Sequence, residues 1–138
     1  MRYTQRLMQI HLLKSKIHRA TVTGGNVKYE GSLTIAIDLM EKAGLQEYER
    51  ILCGNMANGE RFETYALEGE EDSGVICLNG AAARKGAVGD LIIITTYATY
   101  EGAELELHQP KVVMVDRHNR LKKTASAEKP LAFFSISS

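Results

Sequence analysis

The sequence is poor in the features that mark several large classes of protein. It has two cysteines, two prolines and no tryptophan, and its 17 basic and 17 acidic residues leave no net charge. A chain without net charge has no overall field to attract nucleic acid or an anionic membrane, so neither is expected as a partner. No apolar run approaches the length of a membrane-spanning helix, and the first ten residues lack the sustained apolar stretch of a signal peptide. We therefore expect a globular, cytoplasmic protein.

The few cysteines exclude a disulfide scaffold. Cys53 and Cys77 lie inside apolar runs and form neither a CxxC motif nor a metal-spaced cluster. Buried free thiols in a reducing compartment are expected, and no metal site. The 138 residues are enough to bury a core without metals or disulfides. With no internal repeat and no linker, residues 1–138 are expected to form a single domain.

What the chain does contain is a series of short β-type segments. Residues 17–23 (IHRATVT) alternate large and polar side chains before the turn residues 24–26 (GGN), and extended structure is expected to resume at 27–30. This pattern predicts a hairpin. Residues 33–37 (LTIAI) are β-branched and apolar, which favours a buried strand.

A short helix and a second hairpin are predicted next. Asp38 is expected to be the N-cap of the helix and Gly44 its C-terminal cap. Asn58-Gly59 lies between two strand-like segments, 49–57 and 60–67, and this dipeptide is typical of a type I′ hairpin turn.

The second half continues the pattern, with a buried strand ending at Asn79-Gly80 and a strongly hydrophobic central strand at 91–100. A short helix or turn (102–108) and a last strand (111–116) follow, and residues 124–138 are expected to be a polar tail. Six or seven short strands with one or two short helices favour a compact barrel or sandwich.

Five short motifs occur in a recognisable order: KIHRATVT, YEGS, NGERFETYA, LNGAAA and GDLIIIT. Over residues 13–125 the chain resembles the pyruvoyl-dependent aspartate 1-decarboxylases. The resemblance implies a mainly β fold, a six-stranded double-psi β-barrel, in a homotetramer with active sites between subunits. It also implies conversion of L-aspartate to β-alanine and CO₂ in pantothenate biosynthesis.

The resemblance gives meaning to the Gly31-Ser32 pair. Chance alone should supply roughly 0.7 such pairs in a chain of this length, so the dipeptide by itself indicates nothing. In the family the serine attacks the preceding carbonyl, and the chain would separate into 1–31 and 32–138. Whether a maturation helper protein is required stays open. Ser32 would become a pyruvoyl group, which forms a Schiff base with the substrate and replaces any external cofactor. Gly31 has no Cβ to block this attack and can adopt a strained turn.

The remaining roles are also implied by the resemblance. Arg61 would hold a substrate carboxylate and Lys16 would supply a second positive charge, although a surface salt bridge and a solvated lysine are the alternatives. Tyr65 would donate a proton to the decarboxylated intermediate, unless it is only a tyrosine of the barrel wall. Thr64 would contact substrate and polarise the Gly31 carbonyl. A regular strand directs Thr64 and Tyr65 to opposite faces, so both roles require a local bend or two neighbouring sites.

A turn of small residues completes the predicted site. Its members would leave backbone N–H groups open to an anionic substrate, and they are Asn79, Gly80, Ala81 and Ala82. His18 and Tyr29 match supporting residues, with solvated strand positions as the alternative for His18 and Lys16.

Two other functions stay open at this stage. The chain could be an uncleaved double-psi barrel that serves as a binding or assembly module, because folds of this kind host many functions. It could also act on another acidic amino acid such as glutamate, since an arginine recognises any carboxylate.

Overall fold

Strands make up most of the computed structural model, which describes residues 8–28 and 30–125. The described residues contain nine strands, two short α-helices and one 3₁₀ helix. Their bounds are β1 Ile10–Thr21, β2 Gly24–Asn26, β3 Ser32–Ala36, α1 Ile37–Ala43, β4 Arg50–Asn55, β5 Arg61–Gly69, β6 Ile76–Asn79, the 3₁₀ helix Gly80–Lys85, β7 Leu91–Tyr100, α2 Ala103–Leu107, β8 Lys111–Val115 and β9 Leu121–Ala125.

The strands form one mixed sheet in the order β2-β6-β3-β5-β4-β7-β1-β8-β9. The mainly β class predicted from the sequence is confirmed, whereas the count of six or seven strands is too low for the described part. β7 lies between β4 and β1, as expected of a central strand, and pairs antiparallel with both. Fully buried residues from seven strands and from α1, among them Ile17, Leu33, Ile51, Leu78 and Ile94, form the core. Each such side chain contributes about 1.5–3 kcal/mol by leaving water.

The predicted first hairpin is wrong. Residues 24–26 do not form a turn that folds the chain back onto β1; they form β2, which pairs parallel with β6. A Cβ on Gly25 would stand 3.5 Å from the side chain of Ala83, so small residues here permit close contact with the 3₁₀ helix. The turn comes later, at Val27 and Lys28.

The predicted helix is confirmed, but one of its caps is not. Gly44 ends α1 with φ 73°, the left-handed conformation of a C-terminal cap. The N-cap is Ala36, without a side-chain hydrogen bond, because β3 runs directly into α1. Asp38 lies in the first turn instead, where its carboxylate accepts a hydrogen bond from the backbone N–H of Asp72.

The Asn58-Gly59 hairpin is confirmed, since β4 and β5 pair antiparallel. The type I′ turn is wrong, because Gly59 has φ 79° whereas Asn58 is not among the residues with positive φ. The loop is longer, and Asn55 closes it by donating its backbone N–H to the carbonyl of Glu60 at 2.8 Å. The side-chain oxygens of Asn55 and Asn58 accept backbone N–H groups within the loop, which a two-residue turn does not require.

β8 is not the last strand. β9 follows it and pairs antiparallel with it, so Thr124 and Ala125 do not belong to a polar tail as predicted. The rest of the predicted tail, residues 126–138, lies outside the described residues.

Both cysteines are free, as predicted, with Cys53 buried and Cys77 half-buried. Within the described ranges, neither α-helix is long and apolar enough to cross a membrane.

Candidate active site

Ser32 is the most unusual residue of the predicted site. It begins β3, is 0% exposed and has φ 148°, a value that residues with a side chain rarely adopt. Such a conformation costs of order 1–3 kcal/mol and persists only when the surroundings impose it. The expected strain therefore lies at Ser32 and not at Gly31. A Cβ on Gly31 would meet nothing within 4 Å, which leaves the approach to this residue open.

Asn79 holds the hydroxyl of Ser32. The two residues are paired across β3 and β6, and Nδ2 of Asn79 donates to Ser32 Oγ at 2.8 Å. The same nitrogen donates to Thr34 Oγ1 at 2.9 Å. Asn79 is 2% exposed, so these bonds form without competition from water.

A cavity of about 170 Å³ lies against Gly31, and we call it the Thr64 cavity. It brings together four residues that were predicted to belong to one site, namely Gly31, Thr64, Ala81 and Ala82. Phe62, Glu63 and Lys85 complete its wall. The small side chains of Ala81 and Ala82 lie in the 3₁₀ helix, which follows β6 directly.

A second cavity of about 330 Å³, the Tyr65 cavity, also borders Gly31. Its wall contains Ser32 and Tyr65, with Lys28, Glu30 and Leu67. β5 is regular here, since exposed and half-buried residues alternate from Arg61 to Tyr65. Thr64 and Tyr65 therefore reach two neighbouring cavities that share Gly31, and no bend in the strand is needed.

The two predicted cationic residues do not border these cavities. Arg61 is exposed at the start of β5 and lines a separate cavity of about 320 Å³ together with Leu52, Met56 and Tyr97. Lys16 is half-buried on β1, opposite Thr95 of β7 and Val112 of β8. His18 lies on the same strand opposite Met114, and Tyr29 lies outside the described residues.

The 3₁₀ helix is fixed to β4 by hydrogen bonds. Nδ2 of Asn55 donates to the carbonyl of Lys85 at 3.0 Å and to the carboxylate of Asp90 at 2.9 Å. The pKa of Asp90 is lowered, most strongly by the hydrogen bond from the Asn55 side chain and next by the one from the backbone N–H of Ala87. Partial burial raises this pKa, but by less. The carboxylate stays charged and ties the loop that follows the 3₁₀ helix to β4, since it accepts from both Asn55 and Ala87.

Several residues of the cavities were not found from the sequence. Lys85 lies three residues after Ala82, and in a 3₁₀ helix this spacing places both on one side. If a 3₁₀ helix had been predicted at the turn of small residues, its period of three would have placed Lys85 beside Ala82. Lys28, which borders the Tyr65 cavity, and Thr34, which is bonded to Asn79, carry no local signal, because Tyr65 and Asn79 lie far away in the sequence. In the described part, no group of three His, Cys, Asp or Glu side chains is arranged to hold a metal ion.

A strained, buried serine that is held by an asparagine and follows the glycine shared by two cavities is an arrangement typical of enzyme active sites. A family model described as aspartate decarboxylase matches residues 8–122. Aspartate 1-decarboxylase of Syntrophobacter fumaroxidans is 61% identical over 113 residues, which cover 82% of this chain and 91% of the relative. The enzymes of the same name from Desulfotalea psychrophila and Caldicellulosiruptor saccharolyticus are each 53% identical and cover 81% and 88% of this chain, in each case with 94% of the relative. The chain belongs to the aspartate decarboxylase family, and the resemblance inferred from the five motifs is confirmed.

Proposed function

We propose that this chain is a self-processing aspartate 1-decarboxylase, which converts L-aspartate to β-alanine and CO₂ for pantothenate biosynthesis in the cytoplasm. Family membership and the names of the relatives support the reaction. The observation that carries the mechanism is Ser32 itself, buried, strained and hydrogen-bonded at a Gly-Ser bond. The mixed sheet is consistent with a double-psi β-barrel, which we retain as part of the proposal.

Self-cleavage begins when Ser32 Oγ attacks the carbonyl carbon of Gly31. The C–N bond between the residues breaks, the hydroxyl proton passes to the nitrogen, and an ester links the two segments. Elimination across Cα–Cβ of Ser32 then releases the Gly31 carboxylate, and hydrolysis of the remaining dehydroalanine releases ammonia. Thr64 lines the same cavity as Gly31, which supports the proposal that its hydroxyl stabilises negative charge on the Gly31 oxygen.

The surroundings of Ser32 fit the pyruvoyl group that would result. The site is buried, the Asn79 amide supplies a hydrogen-bond donor, and the Tyr65 cavity offers space beside it. Bound there, the pyruvoyl carbonyl would supply an electron sink for the pair left when CO₂ departs. Tyr65 shares this cavity with Ser32 and is the proposed proton donor to the substrate carbon.

The substrate carboxylates require positive charge and N–H groups. Ala81 and Ala82, which line the Thr64 cavity, would present backbone N–H groups to the substrate together with the preceding Gly80. Arg61 and Lys16 lie away from both cavities of their own chain, and we propose that they act at sites between subunits of a homotetramer. His18 and Tyr29 remain supporting residues in this proposal.

The decisive experiment is the intact mass of the purified protein. The wild type should yield fragments 1–31 and 32–138, the second blocked to Edman degradation, and should form β-alanine from aspartate. Ser32→Ala should remain one chain and form none. Addition of cell extract to an uncleaved sample would reveal a helper protein. A wild-type chain that stays whole in every condition would contradict self-processing and favour the binding module.

Substrate choice is tested separately by comparing kcat/KM for aspartate and glutamate. One methylene changes binding by about 1–3 kcal/mol, so aspartate should be preferred by about 10- to 200-fold. Equal kcat/KM values for the two substrates would indicate a decarboxylase of acidic amino acids in general.

A further inference from the structure

The amide of Asn79 is hydrogen-bonded on both of its sides. Its Nδ2 donates to Ser32 Oγ at 2.8 Å and to Thr34 Oγ1 at 2.9 Å. Its Oδ1 accepts a hydrogen bond from the thiol of Cys77, with 3.4 Å between sulfur and oxygen. A primary amide has two N–H donors and one carbonyl acceptor, so each of these groups has a partner.

The topology explains why these four side chains meet. In the antiparallel pairing of β3 and β6, Ser32 lies opposite Asn79 and Thr34 lies opposite Cys77. Residues two apart in a strand share a face, so the two cross-strand pairs are neighbours on one side of the sheet.

We propose that Thr34 and Cys77 are positioning residues for self-cleavage, which orient the Asn79 amide so that Nδ2 and not Oδ1 faces Ser32 Oγ. The inference rests on the proposed function. With Nδ2 as donor, one lone pair of Oγ is engaged, a second stays available to attack the Gly31 carbonyl carbon, and the hydroxyl proton can pass to the departing nitrogen. A rotated amide would instead place Oδ1 at Ser32, where it would accept the hydroxyl proton and hold it away from that nitrogen.

Packing around Thr34 directs its hydroxyl toward the amide. A Cβ on Gly69 would stand 2.9 Å from Cγ2 of Thr34, so the threonine methyl occupies the space that this glycine leaves. A β-branched side chain has few allowed rotamers, and fixing its methyl also fixes its hydroxyl. Burial raises the pKa of the Cys77 thiol, which therefore remains an S–H donor at neutral pH.

The test compares self-cleavage rates, followed by intact mass, at a temperature where circular dichroism shows every variant folded. Thr34→Val keeps the shape but removes the hydroxyl, and we expect cleavage to slow by about tenfold or more, because one Asn79 N–H loses its buried acceptor. Thr34→Ser restores the hydroxyl and should cleave within about threefold of the wild type. Cys77→Ala should slow cleavage, whereas Cys77→Ser retains a donor and should recover most of the rate.

Thr96→Val is the matched control. Thr96 is a buried threonine whose hydroxyl is bonded to Glu49 and to the carbonyl of Arg50, so its loss should lower Tm without changing the cleavage rate. Equal cleavage of wild type, Thr34→Val and Cys77→Ala would overturn the inference and leave the proposed function intact. A cleavage rate that follows Tm across all variants, Thr96→Val included, would also overturn it. A wild-type chain that never cleaves would contradict the proposed function, and with it the inference that rests on that function.

Discussion

Tyr48 adopts a backbone conformation that an aromatic residue rarely takes. Its φ is 75°, its side chain is 70% exposed and its backbone N–H donates to Ala66 at 2.7 Å. Its ring centroid lies 6.4 Å from that of Tyr65, the proposed proton donor. Backbone strain at an exposed residue lowers stability, so its retention indicates that the residue has a role in function.

We expect Tyr48→Asn to stabilise the protein while slowing decarboxylation. Asparagine tolerates the left-handed conformation, so the free energy of unfolding should rise by about 1 kcal/mol. The ring beside Tyr65 is lost, and a less ordered proton donor should lower kcat by about threefold to tenfold. Urea unfolding and steady-state kinetics measure the two effects.

Tyr48→Phe separates the causes, since it keeps the ring and the strain and should change neither quantity much. A Tyr48→Asn protein that is less stable than the wild type would contradict the strain argument. An unchanged kcat would show that Tyr65 does not depend on its neighbour.

At the scale of elements, the 3₁₀ helix depends on the residue that follows it. A Cβ on Gly86 would stand 2.9 Å from Nδ2 of Asn55 and 2.9 Å from Cδ1 of Leu78. Asn55 holds the carbonyl of Lys85, so Gly86→Ala should displace the wall of the Thr64 cavity. We expect a loss of about 1–3 kcal/mol in the free energy of unfolding, together with slower self-cleavage. Urea unfolding and intact mass are the measurements.

Gly54→Ala is the control for stability, because a Cβ there would meet nothing within 4 Å. Its free energy of unfolding should stay within about 0.5 kcal/mol of the wild type. If both alanine variants lose the same stability, the contact with Asn55 is not the reason.

The elements that the sequence predicts correctly are those with local signals. Asn58-Gly59 joins two adjacent strands, and Gly44 ends its own helix. β2 was missed because its partner β6 lies about fifty residues later, and its glycines were interpreted as a turn. β9 was missed because its sequence is polar, as suits the edge of a sheet.

The same distinction applies to the site. The alternation of Thr64 and Tyr65 follows from the strand period alone, and the structure confirms it. The strain at Ser32 arises where β3 pairs with β6, so no residue near Ser32 in the sequence reveals it. The sequence motifs identified candidate residues, but only the non-local pairing distributes them between two cavities.

At the scale of the whole molecule, the site and the core share one sheet, and Ala82 belongs both to the core and to the wall of the Thr64 cavity. The two cavities are lined mainly by β5, the 3₁₀ helix and the segment that leads into β3, whereas Arg61 and Lys16 line neither of them. The core also includes Cys53, which is fully buried on β4. Cys53 lines neither cavity, although it lies opposite Phe62 of the Thr64 cavity wall, so a change at this thiol perturbs the core and leaves the proposed site residues themselves unchanged.

Burial raises the pKa of Cys53 from 9.0 to about 12. The unfolded chain loses this proton from about pH 9 upward, whereas the folded chain retains it. The unfolded state therefore binds fewer protons, and the stabilising contribution that is complete below pH 9 is lost between about pH 9 and 12. We expect the free energy of unfolding to fall over this range, as measured by urea unfolding at a series of pH values.

In Cys53→Ala the protein should be less stable at pH 7, because a cavity remains in the core, but its decline above pH 9 should be shallower. Parallel declines in the two proteins would assign the alkaline loss to other groups.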